Sequence, residues 1–191
     1  MKICVYGAAS NEIDKSFIQD GEKLGKEMGV RKHSLVFGGG ANGLMGAVAR
    51  GIKEKDGYII GVAPHFFNVD GVLFDKCDEL LTTDTMRERK KLMEDLSDAF
   101  IVTPGGIGTF EEFLEILTLK SLDRHHKPIA LLNTNGYYDN LIRFLEDGVK
   151  QNFLKTGNLD LFFVSSNSSD ILDYLENYTD SDSHIEKTRF V

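Results

Sequence analysis

No stretch of this chain is apolar for long enough to cross a bilayer, and its start lacks the apolar core of a secretory leader. The expectation is therefore a soluble, cytoplasmic protein with no membrane partner. Cysteine is equally scarce: Cys4 and Cys77 lie far apart in strand-like contexts, and neither belongs to a Cys-x-x-Cys pair. That excludes a disulfide framework and predicts buried thiols in a reducing compartment. Basic residues are short as well, 22 against 30 acidic ones, for a net charge of −8. Nonspecific nucleic-acid binding draws on a broad cationic surface, so nucleic acid is excluded as a partner and any anion must be recognised locally. No fixed-period repeat or internal linker is visible. The 191 residues, 41% of them hydrophobic, are read as one domain over 1–178 with a frayed tail over 179–191, where apolar periodicity stops.

What the chain does contain is a regular alternation. Apolar runs over 3–7, 35–37, 58–63, 79–81, 99–103, 129–132 and 161–164 are separated by helical patterns over 17–28, 44–55, 85–96, 109–121 and 137–151, with a last helix over 169–178. Runs that are continuous rather than alternating imply strands buried on both faces, and the intervening helices supply right-handed crossovers. This is an α/β, Rossmann-like, doubly wound and mostly parallel sheet, whose ligands belong at the carboxyl ends of the strands.

Two of those strands run into glycine. Gly38, Gly40 and Gly43 satisfy Gly-x-Gly-x-x-Gly, but the next strand ends at Pro64 and His65 rather than at the acid that holds a dinucleotide ribose. A Walker loop fares worse, since Gly21 and Gly25-Lys26 are one residue too close and Glu27 replaces the metal-binding hydroxyl. Close helix–strand packing without a ligand competes with phosphate binding at Gly39 and Gly40. The second turn, Thr103-Pro104-Gly105-Gly106-Ile107-Gly108-Thr109-Phe110-Glu111-Glu112, favours phosphate. A strand, a glycine turn and a helix start present unpaired N–H groups and a positive dipole end to an anion. Near the first strand, Gly7-Ala8-Ala9-Ser10 reads either as a third phosphate-side loop or as a small-residue turn with Ser10 as a helix cap.

Thr85 and Glu88 have capping-box spacing, placing Met86, Arg89 and Lys90 at a helix start near the same mouth. Thr109 and Glu112 have that spacing too, so Glu112 is open to two readings, a cap or a functional carboxylate. Glu112 and Glu115 are three apart and share a helical face. Paired carboxylates suit glycosidic cleavage, which builds positive charge on the sugar and needs an activated water. Arg89 cannot act as a base at neutral pH, but it can hold phosphate or orient a carboxylate.

Pro104 to Glu112 and Met86 to Lys90 together resemble the hallmarks of the LOG family, Pro-Gly-Gly-x-Gly-Thr-x-x-Glu after Met-x-x-Arg-Lys. These are the cytokinin riboside 5'-monophosphate phosphoribohydrolases, long labelled lysine decarboxylases. The resemblance implies hydrolysis of a nucleoside 5'-monophosphate, with AMP or N6-modified AMP as partner molecule, no cofactor or metal, and a homodimer. It implies Arg89 and Glu112 as the catalytic pair. Arg89, Lys90, Gly105, Gly106, Ile107, Gly108, Thr109, Phe110, Glu111 and Thr118 would bind substrate. The chain departs from the family at Ala8-Ala9, at Arg87 and through the loop over 66–73. A nucleotide-binding module without hydrolysis is the alternative, and for the older decarboxylase label no Schiff-base lysine can be singled out.

The remaining features have plain readings. His125-His126 ends a helix, where a cation is favoured and a metal is not expected. Phe110, Phe113, Leu114 and Leu117 serve as core or subunit contact. Phe66-Phe67 either lines a base pocket or anchors a buried loop.

Overall fold

Unbroken runs of Val, Ile, Leu, Phe and Ala become the centre of one parallel sheet. The structure is a computed structural model that describes residues 1–67 and 71–179; the tail expected over 179–191 lies outside it apart from Thr179. In chain order the elements are β1 (Lys2–Tyr6), α1 (Lys15–Val30), β2 (Ser34–Phe37), α2 (Gly43–Lys53), β3 (Ile59–Pro64), β4 (Glu79–Thr83) and α3 (Met86–Leu96). Then follow β5 (Ala99–Val102), α4 (Ile107–Ser121), β6 (Ile129–Leu132), α5 (Asp139–Lys150), β7 (Phe163–Ser165) and α6 (Ser168–Asn177). The sheet order is β4-β3-β2-β1-β5-β6-β7, with every strand pair parallel. The order reverses between β1 and β5, which is where a doubly wound sheet opens a ligand crevice.

Side chains alternate across the sheet, so each central strand feeds two cores. Ile3, Val5, Leu35 and Phe37 pack with Leu24 and Met28 of α1, Val48 and Ile52 of α2, and Ile171 and Leu175 of α6. Cys4, Tyr6, Phe100 and Val102 face the other way, onto Met93 of α3, Phe113 and Ile116 of α4 and Leu145 of α5. The glycines that mimic a Walker loop serve the first core: a Cβ on Gly25 would lie 2.1 Å from the Val48 carbonyl oxygen, so glycine is what lets α1 and α2 pack this closely.

Burial on both faces fails at the edges of the sheet, in β7 by a little and in β4 by more. In β4 no residue is fully buried and Leu80 is 45% exposed, because an edge strand has a neighbour on one side only. The two thiols differ in the same way. Cys4 is buried, which pushes its thiol up to about 12, whereas Cys77 is half-buried in the loop before β4, where burial raises its thiol to about 11.

His125 corrects another expectation. It is buried, with Nε2 2.8 Å from the Ile116 carbonyl and its ring against Phe100, and burial drives its pKa down to about 4. It is therefore a neutral hydrogen-bonding side chain at neutral pH, not a cation on a helix end. Among the described residues no group of three or more His, Cys, Asp or Glu side chains could hold a metal ion, and no helix is long and apolar enough to cross a membrane.

Candidate active site

The glycine turn after β5 is held by its carbonyls, which frees its N–H side. Tyr138 Oη donates to the Thr103 carbonyl at 2.7 Å, the Ala8 N–H to Pro104 at 3.0 Å, Tyr137 Oη to Gly105 at 2.5 Å, and the Phe110 N–H to Gly106 at 3.0 Å. With four successive oxygens engaged, the turn is fixed. Helix α4 then starts at Ile107 with Gly106 as its N-cap; no side chain caps it, and its first turn carries no acid. The N–H groups of that turn have no acceptor within the helix, and they mark the positive end of its dipole. Space around Gly106 and Gly108 is open, and Ile107 is 87% exposed. This is an uncapped anion cradle.

The helix start also decides between the two readings of Glu112. With α4 beginning two residues before Thr109, Thr109 is already the third helical residue and is buried, while Glu112 falls in the second turn. A capping box at Thr109 is thereby excluded. Glu112 instead meets Arg89, whose Nη1 donates to Glu112 Oε1 at 3.0 Å; the two side chains are 7% and 12% exposed respectively.

Arg89 reaches that position because α3 begins with a complete capping box. The Thr85 side chain accepts from the Glu88 N–H, and the Glu88 carboxylate accepts from the Thr85 N–H, so the first turn that carries Arg89 is fixed. Its Nε donates to the Val62 carbonyl in the second half of β3, at 3.1 Å. Nη2 lies against Gly38, so closely that a Cβ there would sit 1.9 Å away. The first glycine turn therefore does contribute to this site, but through Gly38, by making room for a guanidinium. Gly39 has φ +77° and packs on Leu73 and Ala63, and Gly40 bridges to Leu73.

Electrostatically the carboxyl of Glu112 sits between opposing influences. Burial raises its pKa above the ordinary glutamate range, Arg89 pulls it down, and the net direction is upward. A carboxylate more basic than a surface glutamate is better suited to take a proton from water. Beneath it, Tyr6 and Cys4 on β1 are held neutral by burial, reinforced by the Glu112 charge.

The other expected residues are distributed unevenly. Lys90 bridges Glu111 and Glu115, the latter at 2.7 Å, so Glu115 is paired with Lys90 and does not share Arg89 with Glu112. Residues 111 and 115 are one helical turn apart and face the same way, whereas Glu112 is rotated about 100° toward the sheet. Met86 is the first residue of α3 and is exposed. Phe110 is half-buried against Tyr137 and Tyr138. Thr118 is exposed in a shallow groove with Ile107, Phe110, Leu114 and Leu119, about 16 Å along the helix axis from Ile107. Of the apolar residues on α4, Phe113 and Leu117 are core and Leu114 is exposed.

Beside the glycine turn, at the switch between β1 and β5, lies a cleft of about 400 Å³ walled by Ala8, Ser10, Phe17, Pro104, Gly106 and Tyr137. Sequence reasoning missed Phe17 and Tyr137; the signal was the position of Tyr137 just after β6, at the same end of the sheet. Ser10 Oγ accepts from the Glu12 N–H at 3.1 Å, a local turn, and the cap of α1 is Asp14. Phe66 and Phe67 are exposed in a short 3-10 turn after β3, so they do not anchor a buried loop.

Comparison with known proteins gives a family and a fold. Residues 45–175 match the family model described as "Possible lysine decarboxylase". A protein of Oryza sativa subsp. japonica named "Probable cytokinin riboside 5'-monophosphate phosphoribohydrolase LOGL9" is 37% identical over 177 residues, 93% of this chain and 78% of that protein. The cytokinin riboside 5'-monophosphate phosphoribohydrolase LOG5 of Arabidopsis thaliana is 33% identical over 190 residues, 99% of this chain and 83% of its own length. Among solved structures, TM1055 aligns with a TM-score of 0.73 at 20% identity, covering 93% of this chain and 99% of that one. The molybdenum cofactor carrier protein of Chlamydomonas reinhardtii aligns with a TM-score of 0.69 at 22% identity, covering 92% and 95%. These two show a shared fold. The family match over most of the chain, joined to the sequence relatives across nearly all of it, shows that the chain belongs to the LOG family of phosphoribohydrolases.

Proposed function

We propose that this protein hydrolyses the N-glycosidic bond of a nucleoside 5'-monophosphate, AMP or an N6-modified AMP, to free base and ribose 5-phosphate. The observation that carries the reading is the Arg89–Glu112 pair, 3.0 Å apart and nearly buried, with Glu112 on the helix whose uncapped start can take a phosphate. The 5'-phosphate docks on the N–H groups of Ile107 and Gly108, where the dipole of α4 favours negative charge. Docking there brings the ribose over the second turn of the helix. As the C–N bond breaks, positive charge grows on the sugar ring, and the Glu112 carboxylate stabilises it. Water adds to the anomeric carbon as the C–N bond breaks and gives one proton to Glu112; the departing base takes up a proton from solvent, and Glu112 returns its own to solvent, so that one water is consumed in all. Arg89 remains charged throughout; it fixes which way the carboxylate points.

The activity for which the plant relatives are named supports this reading. The test is base release from AMP, N6-prenylated AMP and adenosine. The expected result is equimolar free base and ribose 5-phosphate from a monophosphate, with adenosine cleaved at least about 10³-fold less efficiently because it forgoes the phosphate binding energy. Tight AMP binding without sugar product would leave a nucleotide-binding module instead.

We also propose a homodimer through the outer face of α4. Ile107 and Leu114 on α4 and Leu122 at its end are exposed, and a second copy of the chain would cover them. Light scattering at micromolar concentration is expected to give twice the 21.4 kDa chain mass; a monomer would refute it.

A further inference from the structure

The glycine turn after β5 aims its N–H groups by where its carbonyls are held. Among the described residues no peptide bond is cis, so a carbonyl and the N–H that follows it point in opposite directions. The Gly105 N–H is aimed by the backbone bond from Ala8 to the Pro104 carbonyl, and the Ile107 N–H by the helical bond from Phe110 to Gly106. Between them lies the Gly105–Gly106 peptide, whose carbonyl is held by the side-chain hydroxyl of Tyr137, 2.5 Å away. This is also the peptide most able to turn over. Neither flanking residue has a Cβ, and a half-turn exchanges the Gly106 N–H for the Gly105 oxygen. An N–H in the cradle attracts a phosphate, and a carbonyl oxygen there repels it. Tyr137 itself is firmly placed. Asn135 and Gly136 adopt left-handed backbone, φ +54° and +71°, so the chain turns sharply after β6. The Asn133 side chain closes that turn, accepting from the Tyr138 N–H at 2.7 Å and donating to Asp139 at 2.8 Å. The Tyr137 ring then stacks on Phe110, with centroids 6.5 Å apart, and meets Phe17 and Tyr138 edge-on at 5.9 and 5.1 Å.

We propose that Tyr137 is a positioning residue for the 5'-phosphate. Its hydroxyl holds the Gly105–Gly106 peptide with the carbonyl on the Tyr137 side and the Gly106 N–H turned toward the open side of the cradle, beside those of Ile107 and Gly108. This inference rests on the reading of the start of α4 as the phosphate site. Without the hydroxyl the peptide takes up both orientations, and the fraction with its oxygen in the cradle does not bind phosphate. A bound phosphate selects the competent orientation, so the loss falls on KM rather than on kcat. A Cβ on Gly106 would oppose the same motion. Turning the peptide carries φ of Gly106 from −92° to about +90°, which glycine adopts freely and alanine does not. In the orientation observed, the space around Gly106 admits a methyl group.

The experiment is steady-state base release from AMP and from adenosine by the wild type, Tyr137→Phe, Gly106→Ala and the double variant, with a ligand-free crystal structure of Tyr137→Phe. Phenylalanine keeps the ring contacts and removes the hydroxyl. It is expected to raise KM for AMP about 5–10-fold, the scale of one lost hydrogen bond, while kcat and the adenosine kcat/KM stay within about twofold. Whatever Gly106→Ala costs by itself, adding Tyr137→Phe to it raises KM by less than about twofold, because alanine already opposes the turn. A side chain that merely packs gives a different set: AMP and adenosine lose together, the melting temperature falls, and the two substitutions add. That set overturns the proposal, and so does an unchanged KM. The crystal structure is expected to show the Gly105 carbonyl turned over or in two orientations; the single wild-type orientation overturns the proposal as well. A wild type that cleaves AMP no better than adenosine would count against phosphate at the start of α4, while the orientation of the peptide still decides what Tyr137 holds.

Discussion

Replacing Glu112 by glutamine is expected to lower kcat for base release by about 10³-fold while leaving KM within a few-fold of the wild type. Glutamine keeps the shape of the side chain and still offers Arg89 Nη1 an oxygen at the position now 3.0 Å away, so the fold and the substrate cleft are retained. It loses the negative charge that faces the developing sugar cation, and it cannot accept the proton of water. The same carboxylate sets the pH dependence. Activity requires its ionised form, burial raises its pKa, and so activity falls as pH drops through a value above the ordinary glutamate figure of about 4.3. The variant's residual activity lacks that limb. Turnover equal to wild type would remove Glu112 from the mechanism.

The second large effect is expected from a residue with no functional group. In Gly38→Ala, the added Cβ would lie 1.9 Å from Arg89 Nη2, so one of them has to move. An exposed arginine would swing aside at little cost. Arg89 is 5% exposed, with Nε on the Val62 carbonyl and Nη1 on Glu112, and displacing it breaks both bonds at once. Loss of these charged hydrogen bonds, with overpacking, is expected to cost about 2–3 kcal/mol in stability and about 10²-fold in kcat/KM, per folded molecule. Thermal melts paired with steady-state kinetics check both. An alanine variant with unchanged kcat/KM would mean that the guanidinium has no fixed place in the reaction.

Much of the fold was legible because the central strands are unbroken apolar runs and the helices between them have clear periodicity. The runs at 129–132 and 99–103 coincide with β6 and β5 to within one residue. Arg89 and Glu112 were legible because their motifs sit at a strand-to-helix turn and a capped helix start. What stayed hidden depends on how one element is rotated against another. Spacing put Glu112 and Glu115 on one face of α4, but only the approach of α3 assigns one to Arg89 and the other to Lys90. The capping-box pattern at Thr109 was genuine as spacing and empty as structure, since glycine allows α4 to begin at Ile107. Three glycines after β2 look alike in sequence, yet a guanidinium lies against one of them. Exposure of β4 and burial of His125 follow from the order of strands and the packing over Phe100, which periodicity does not contain.

The most direct measurement is a crystal structure of the Glu112→Gln variant with AMP bound and uncleaved. The account expects the phosphate oxygens within about 2.7–3.2 Å of the Ile107 and Gly108 N–H groups, and the anomeric carbon within about 3.5 Å of the side chain at position 112. A nucleotide whose phosphate lies away from the start of α4, or whose glycosidic bond is out of reach of that side chain, would contradict it.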